Sequence, residues 1–170
     1  MTIKVMILMG SANDLEAMQP AADVLDELAI AYELHVASAH RTPDRVVELA
    51  REARAKGVAA FIAGAGGAHH LAGVLAAHTT LPIVAVPIAS GTLGGIDALL
   101  SAVQMPSGVP VASVGVGGAK NAGIFAAEIV SVADAAVAQA LGRYRERQQT
   151  DVLEADARVQ AARTSRPKKK

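Results

Sequence analysis

The chain has 170 residues, a formal net charge of zero and no cysteine, with 52% hydrophobic but only 2% aromatic residues, so its apolar bulk is aliphatic. That length fits one domain with a substantial core. Neutrality removes any global attraction to nucleic acid or an acidic membrane, and the lack of cysteine excludes disulfides, zinc–thiolate sites and thiol catalysis, in keeping with a reducing cytoplasm.

Residues 3–9 form an apolar run directly after Met1, with no basic flank or cleavage pattern. It reads as a first buried strand and not as a signal peptide. The loop Gly10-Ser11-Ala12-Asn13-Asp14 then leads into a helix predicted over 14–28. Ser11 and Asn13 offer neutral hydrogen bonds, and the helix N-terminus offers free backbone N–H groups suited to a phosphate. Asp14 would repel a phosphate but accepts well from sugar hydroxyls. Ser11 or Asn13 serves equally as a helix cap, and the two roles are compatible.

An alternating strand over 32–37 is followed by Ser38-Ala39-His40-Arg41-Thr42-Pro43. Thr42 then Pro43 predicts a hydroxyl N-cap and a proline at the first position of a helix over 43–56. His40 and Arg41 therefore belong on a loop at the carboxyl edge of a parallel sheet, where open α/β folds bind ligands. Arg41 suits bidentate contact with phosphate. His40 titrates near neutral pH and moves a proton in either direction. The plain alternative is a surface arginine beside a helix-capping histidine.

The next strand, 59–63, runs into Gly64-Ala65-Gly66-Gly67-Ala68-His69-His70-Leu71 and a helix over 68–77. Side chains this small let the backbone approach a flat ring. The spacing is not the dinucleotide fingerprint, and no Walker A motif occurs, so NAD and ATP lose support. Adjacent His69 and His70 raise a metal site, but neighbouring residues on a helix project apart and no carboxylate clusters near them in sequence. No metal is expected.

Further along come a strand over 83–86, the segment Ser90–Asp97, a helix over 96–103, Gln104-Met105-Pro106, a strand over 111–114 and a helix over 119–140. Asp97, the sole formal charge between Gly57 and Ala119, reads as a structural acceptor or a helix-terminal charge. Glycines, prolines, histidines and threonines break this uncharged middle, leaving no run of about 20 apolar residues to span a membrane. It demands more burial than one small domain supplies, which points to a homo-oligomer; a monomer with a bland core is the other reading. Strands apolar on both faces, alternating with amphipathic helices, predict a parallel sheet covered on both sides. The fold class is a three-layer α/β/α sandwich, flavodoxin-like or Rossmann-like. Residues 1–141 make the catalytic unit and 142–170 a charged tail, helical or partly disordered, whose 151–163 segment could lie on a neighbouring subunit. The three terminal lysines make only a weak case for nucleic acid.

Taken together, Gly10-Ser11…Asp14, Ser38–Pro43, Gly64–Ala68…His70-Leu71, Val103-Gln104-Met105-Pro106 and Ala119-Lys120-Asn121-Ala122 occur in an order and spacing that resembles the class I N5-carboxyaminoimidazole ribonucleotide mutase (PurE) family over about residues 3–140. The resemblance implies a flavodoxin-like homo-octamer with sites at subunit contacts, no metal and no organic cofactor. It implies a ribonucleotide substrate, a cytoplasmic place in purine synthesis after an ATP-dependent N5-carboxylating synthetase, and movement of carboxylate from N5 to ring C4. By position, Ser11 and Arg41 would contact phosphate, with Asn13 standing where a serine is common, and Asp14 would hold the ribose hydroxyls. Ser38, Ala39, Ala65, Gly66, Ala68 and Leu71 would cradle base and carboxylate. His40 would be the general acid and base, and His70 an accessory. His69, Ala72 and Gly94 depart from the usual Ala, Pro and Asn.

Overall fold

The computed structural model describes residues 2–164. Five segments form one parallel sheet: β1 (Val5–Met9), β2 (Tyr32–Val36), β3 (Ala60–Gly66), β4 (Ile83–Ile88) and β5 (Ala112–Ser113). Their order is β2-β1-β3-β4-β5. β1 and β4 are buried at every position, as the unbroken apolar runs require of central parallel strands. β1 pairs Met9 with Val36 on one side and with Gly64 on the other, so the carboxyl ends of β1, β2 and β3 finish close to level.

Alternation along β1 divides the core into two layers. Val5, Ile7 and Met9 face a cluster supplied by α1 (Leu15–Glu27), α5 (Ala119–Ser131) and the start of α6 (Ala135–Thr164). Met6 and Leu8 face the opposite cluster, with α2 (Pro43–Glu52), α3 (Leu71–His78) and Ala102 of α4 (Ile96–Val103). This is the predicted three-layer α/β/α sandwich. α1 and α5 approach closely because position 123 is glycine: a Cβ there would stand 2.8 Å from the Ala21 carbonyl oxygen.

Several boundaries differ from the sequence reading. The helix expected over 119–140 is two helices, broken at 132–134, because Asp134 starts a new one. Its Oδ1 accepts from the Ala136 and Val137 N–H groups at 3.1 and 3.3 Å. The helix expected from residue 68 begins at Leu71, since Gly67 takes φ +61 and the glycine-rich stretch stays a loop. Pro43 opens α2 as expected, but the Thr42 hydroxyl does not cap it; it accepts the Ser38 N–H at 2.9 Å instead.

α6 continues without a break through residue 142 to Thr164, and the terminal lysines lie outside the described residues. Tyr144 anchors its first half in the core, flanked by Lys120 and Arg147, whose charged groups stand 5.9 and 5.6 Å from the ring centroid. Arg145 and Arg147 pair with Glu128 and Glu27. From residue 151 to 163 every side chain except Ala155 is exposed. Among the described residues, no helix is long and apolar enough to cross a membrane.

Candidate active site

The loops after β1, β2, β3 and β4 converge at the carboxyl edge of the sheet around a cavity of about 360 Å³. Ser11, Asp14, Ser38, Ala39, His40, Arg41, Ala65, Gly66, Ala68 and Leu71 all line it. Asn13 does not; it is exposed on a shallow groove beside Glu16 and Gln19. Two further lining residues, Gly10 and Ser90, complete the cavity. Ser90 follows β4 at the same sheet edge, which is the signal that could have singled it out. It also explains Gly66, since any Cβ at 66 would collide with the Ser90 side chain. Gly94, at φ +57, lies outside the lining.

The β1 loop is a self-contained cap. Ser11 Oγ accepts the Asn13 N–H at 3.3 Å, and Asp14 Oδ2 accepts the Ser11 N–H at 3.0 Å, a capping box on the short 3-10 turn Ala12–Asp14. Partial burial raises the Asp14 pKa, opposed by the Ser11 N–H and the Arg41 charge.

The β2 loop is built around Ser38. Its Oγ accepts the N–H groups of His40 and Arg41 at 3.3 and 3.2 Å, turning the backbone so that both side chains reach the cavity. The Arg41 guanidinium donates from Nη2 to the Gly10 carbonyl at 2.7 Å, which fixes it across the mouth of the β1 loop. This sets a guanidinium beside Ser11, a group suited to bidentate contact with an anion.

His40 lies opposite the β3 loop. Its Nε2 is 2.8 Å from Nδ1 of His70, with the rings edge to face at 4.9 Å between centroids. One nitrogen must donate and the other accept, so a single proton lies between the rings and both cannot be imidazolium in this geometry. His69 turns the other way and is buried. Among the described residues, no group of three or more His, Asp or Glu side chains could hold a metal ion.

The family model for AIR carboxylase matches residues 4–151. The chain belongs to this family. Of its relatives, the N5-carboxyaminoimidazole ribonucleotide mutase of Thermotoga maritima is 48% identical over 157 residues, covering 92% of each chain. The mutase of Bacillus subtilis is 54% identical over 150 residues, covering 87% of this chain and 93% of its own. The crystal structure of Treponema denticola PurE superposes with a TM-score of 0.82 at 31% identity, covering 91% of this chain and 96% of that one. The resemblance read from the sequence motifs and the flavodoxin-like fold are thereby both established.

Proposed function

We infer that this chain is an N5-carboxyaminoimidazole ribonucleotide mutase of purine biosynthesis, an isomerase that moves carboxylate from the exocyclic N5 to ring carbon C4. Family membership supports the reaction, and the placement of His40 and Arg41 in one cavity supports the residue roles. Arg41 and Ser11 take the phosphate, Asp14 accepts from the ribose hydroxyls, and Ser38, Ala39, Ala65, Gly66, Ala68 and Leu71 cradle the base and carboxylate.

The chemistry is a balanced exchange. The N5–carboxylate bond breaks as His40 gives a proton to N5, leaving the amine and carbon dioxide. C4 of the electron-rich ring attacks the trapped carbon dioxide, and His40 takes the C4 proton, restoring aromaticity and its own starting state. Such shuttling contributes about 10²–10⁴-fold in rate. His70, bonded to His40, holds the ring in orientation and sets its tautomer. Ala65 and Leu71, both buried, give the carbon dioxide an apolar wall that excludes water.

The active form in this reading is a homo-oligomer, an octamer by family resemblance. Support comes from α4, where Ile96, Leu100 and Val103 form an exposed apolar stripe, 53%, 51% and 46% exposed. The projecting 151–163 segment would lie on a neighbouring subunit. The enzyme works in the cytoplasm, after an ATP-dependent synthetase that attaches carboxylate to the exocyclic nitrogen.

The test supplies the purified protein with N5-carboxyaminoimidazole ribonucleotide, without ATP, metal or added bicarbonate, and follows the C4-carboxylated product. Rapid formation is expected. Product only from aminoimidazole ribonucleotide and bicarbonate would instead assign direct carboxylation.

A further inference from the structure

His69 sits beside the catalytic pair but takes no part in the cavity wall. It is 1% exposed, the one buried polar or charged side chain among the described residues. Its ring Nε2 lies 3.1 Å from the Ala63 carbonyl oxygen within β3. A carbonyl only accepts, so the proton is on Nε2 and Nδ1 carries the lone pair. Among the described residues that Nδ1 has no hydrogen-bond partner. An imidazole buried with one nitrogen unsatisfied is a poor choice for filling space, since an aliphatic side chain avoids the desolvation penalty. What the position uses is the Nε2 donor.

The backbone of His69 is held as well. Its N–H donates to Ser101 Oγ on α4 at 3.0 Å, and the Ser101 hydroxyl donates onward to the Asp97 carbonyl at 2.8 Å. The residues before it, Gly66-Gly67-Ala68, carry nothing larger than a methyl and have no polar side chain to hold them. His69 is therefore the side-chain tie between this loop and the body of the fold. The next residue, His70, is the one whose Nδ1 meets His40.

We propose that His69 is a positioning residue for the isomerisation: it clamps the 66–70 loop to β3 and α4 and so fixes where His70 meets His40. The inference rests on the functional reading above and extends it to a residue that touches neither substrate nor His40. A clamp of this kind matters because a misplacement of about 1 Å at reacting groups lowers rates by up to ~10²-fold.

The experiment compares wild type with His69→Leu, His69→Gln and Ser101→Ala, measuring kcat, KM and amide hydrogen exchange over residues 66–70. His69→Leu keeps bulk and removes the donor; it should lower kcat about tenfold, leave KM within about twofold and speed loop exchange. His69→Gln returns an N–H near the Nε2 position and should recover most of both. Ser101→Ala removes the other tie, the one to the His69 N–H, and should shift the same readouts in the same direction; combined with His69→Leu it should lose more than either alone, since the two ties are separate bonds. A folded His69→Leu with kcat within about twofold of wild type overturns the proposal, as does equal loss in the Leu and Gln variants. If His69→Leu does not fold, Ser101→Ala decides alone: unchanged kcat and unchanged exchange overturn it. Wild type inert toward the N5-carboxylated substrate would sink the functional reading instead, and the exchange contrast between Leu and Gln would still judge the clamp.

Discussion

His40 and Arg41 are adjacent in sequence and share the support of Ser38 Oγ, and the proposed function gives them different ends. His40→Asn should retain ligand binding and lose about 10²–10⁴-fold in kcat, read by steady-state kinetics beside a direct binding assay. In the proposed function Arg41→Ala removes a charge-assisted contact to the phosphate, away from the reacting ring. It should raise KM by roughly 10–100-fold, in line with about 1.5–3 kcal/mol for a hydrogen bond to a charged group, with a smaller change in kcat. His69 contributes a pH dependence of its own. Burial lowers its pKa to about 4 from an ordinary 6.5. Between those values the unfolded chain binds a proton that the folded chain refuses. Stability is therefore full above 6.5 and declines as the pH falls toward 4, on the order of 3 kcal/mol in all. Denaturant midpoints taken from pH 7.5 to 4 should show this loss, and His69→Leu should remove that part of the slope.

At the scale of elements, short polar devices and missing side chains decide where helices begin and how closely they pack. Asp134 stops one helix from merging with the next by accepting two N–H groups at the head of α6. Asp134→Ala should cost about 1 kcal/mol, seen as a shift of the unfolding midpoint without loss of kcat. Gly123 lets α5 rest on α1, with Val24 and the Ala21 backbone against it. A methyl at Gly123→Ala meets backbone that cannot swing aside, and about 1–3 kcal/mol of overpacking strain is expected in thermal or chemical unfolding.

At the scale of the molecule, a neutral chain with few charges in its middle places Ile96, Leu100 and Val103 along one exposed face of α4. A partner surface explains that stripe better than solvent does. Leu100→Glu should yield smaller particles than wild type in light scattering while the circular dichroism spectrum of the subunit is kept. Wild type running as a monomer at micromolar concentration would remove the oligomeric part of the functional reading.

The sequence by itself determined the alternation of strands and helices, the parallel sheet and the loops that carry chemistry. Those features follow from local apolar patterning and from cap residues such as Pro43. It also placed ten cavity residues at one edge, because strand ends of a parallel sheet share a side whatever the details. Tertiary structure alone decided which donors meet which acceptors. The Thr42 hydroxyl accepts the Ser38 N–H and leaves α2 without a side-chain cap. Ser90 enters the cavity through the pairing of β4 with β3, which picks it out from the rest of the Ser90–Asp97 segment at that edge. The two histidines side by side in the chain part company for the same reason: His69 finds a carbonyl in β3 and a hydroxyl on α4, while His70 finds an imidazole that stands thirty residues away. Composition and spacing reveal which groups are present at a sheet edge. Their directions are set by long-range packing, and on those directions the proposed proton transfer depends.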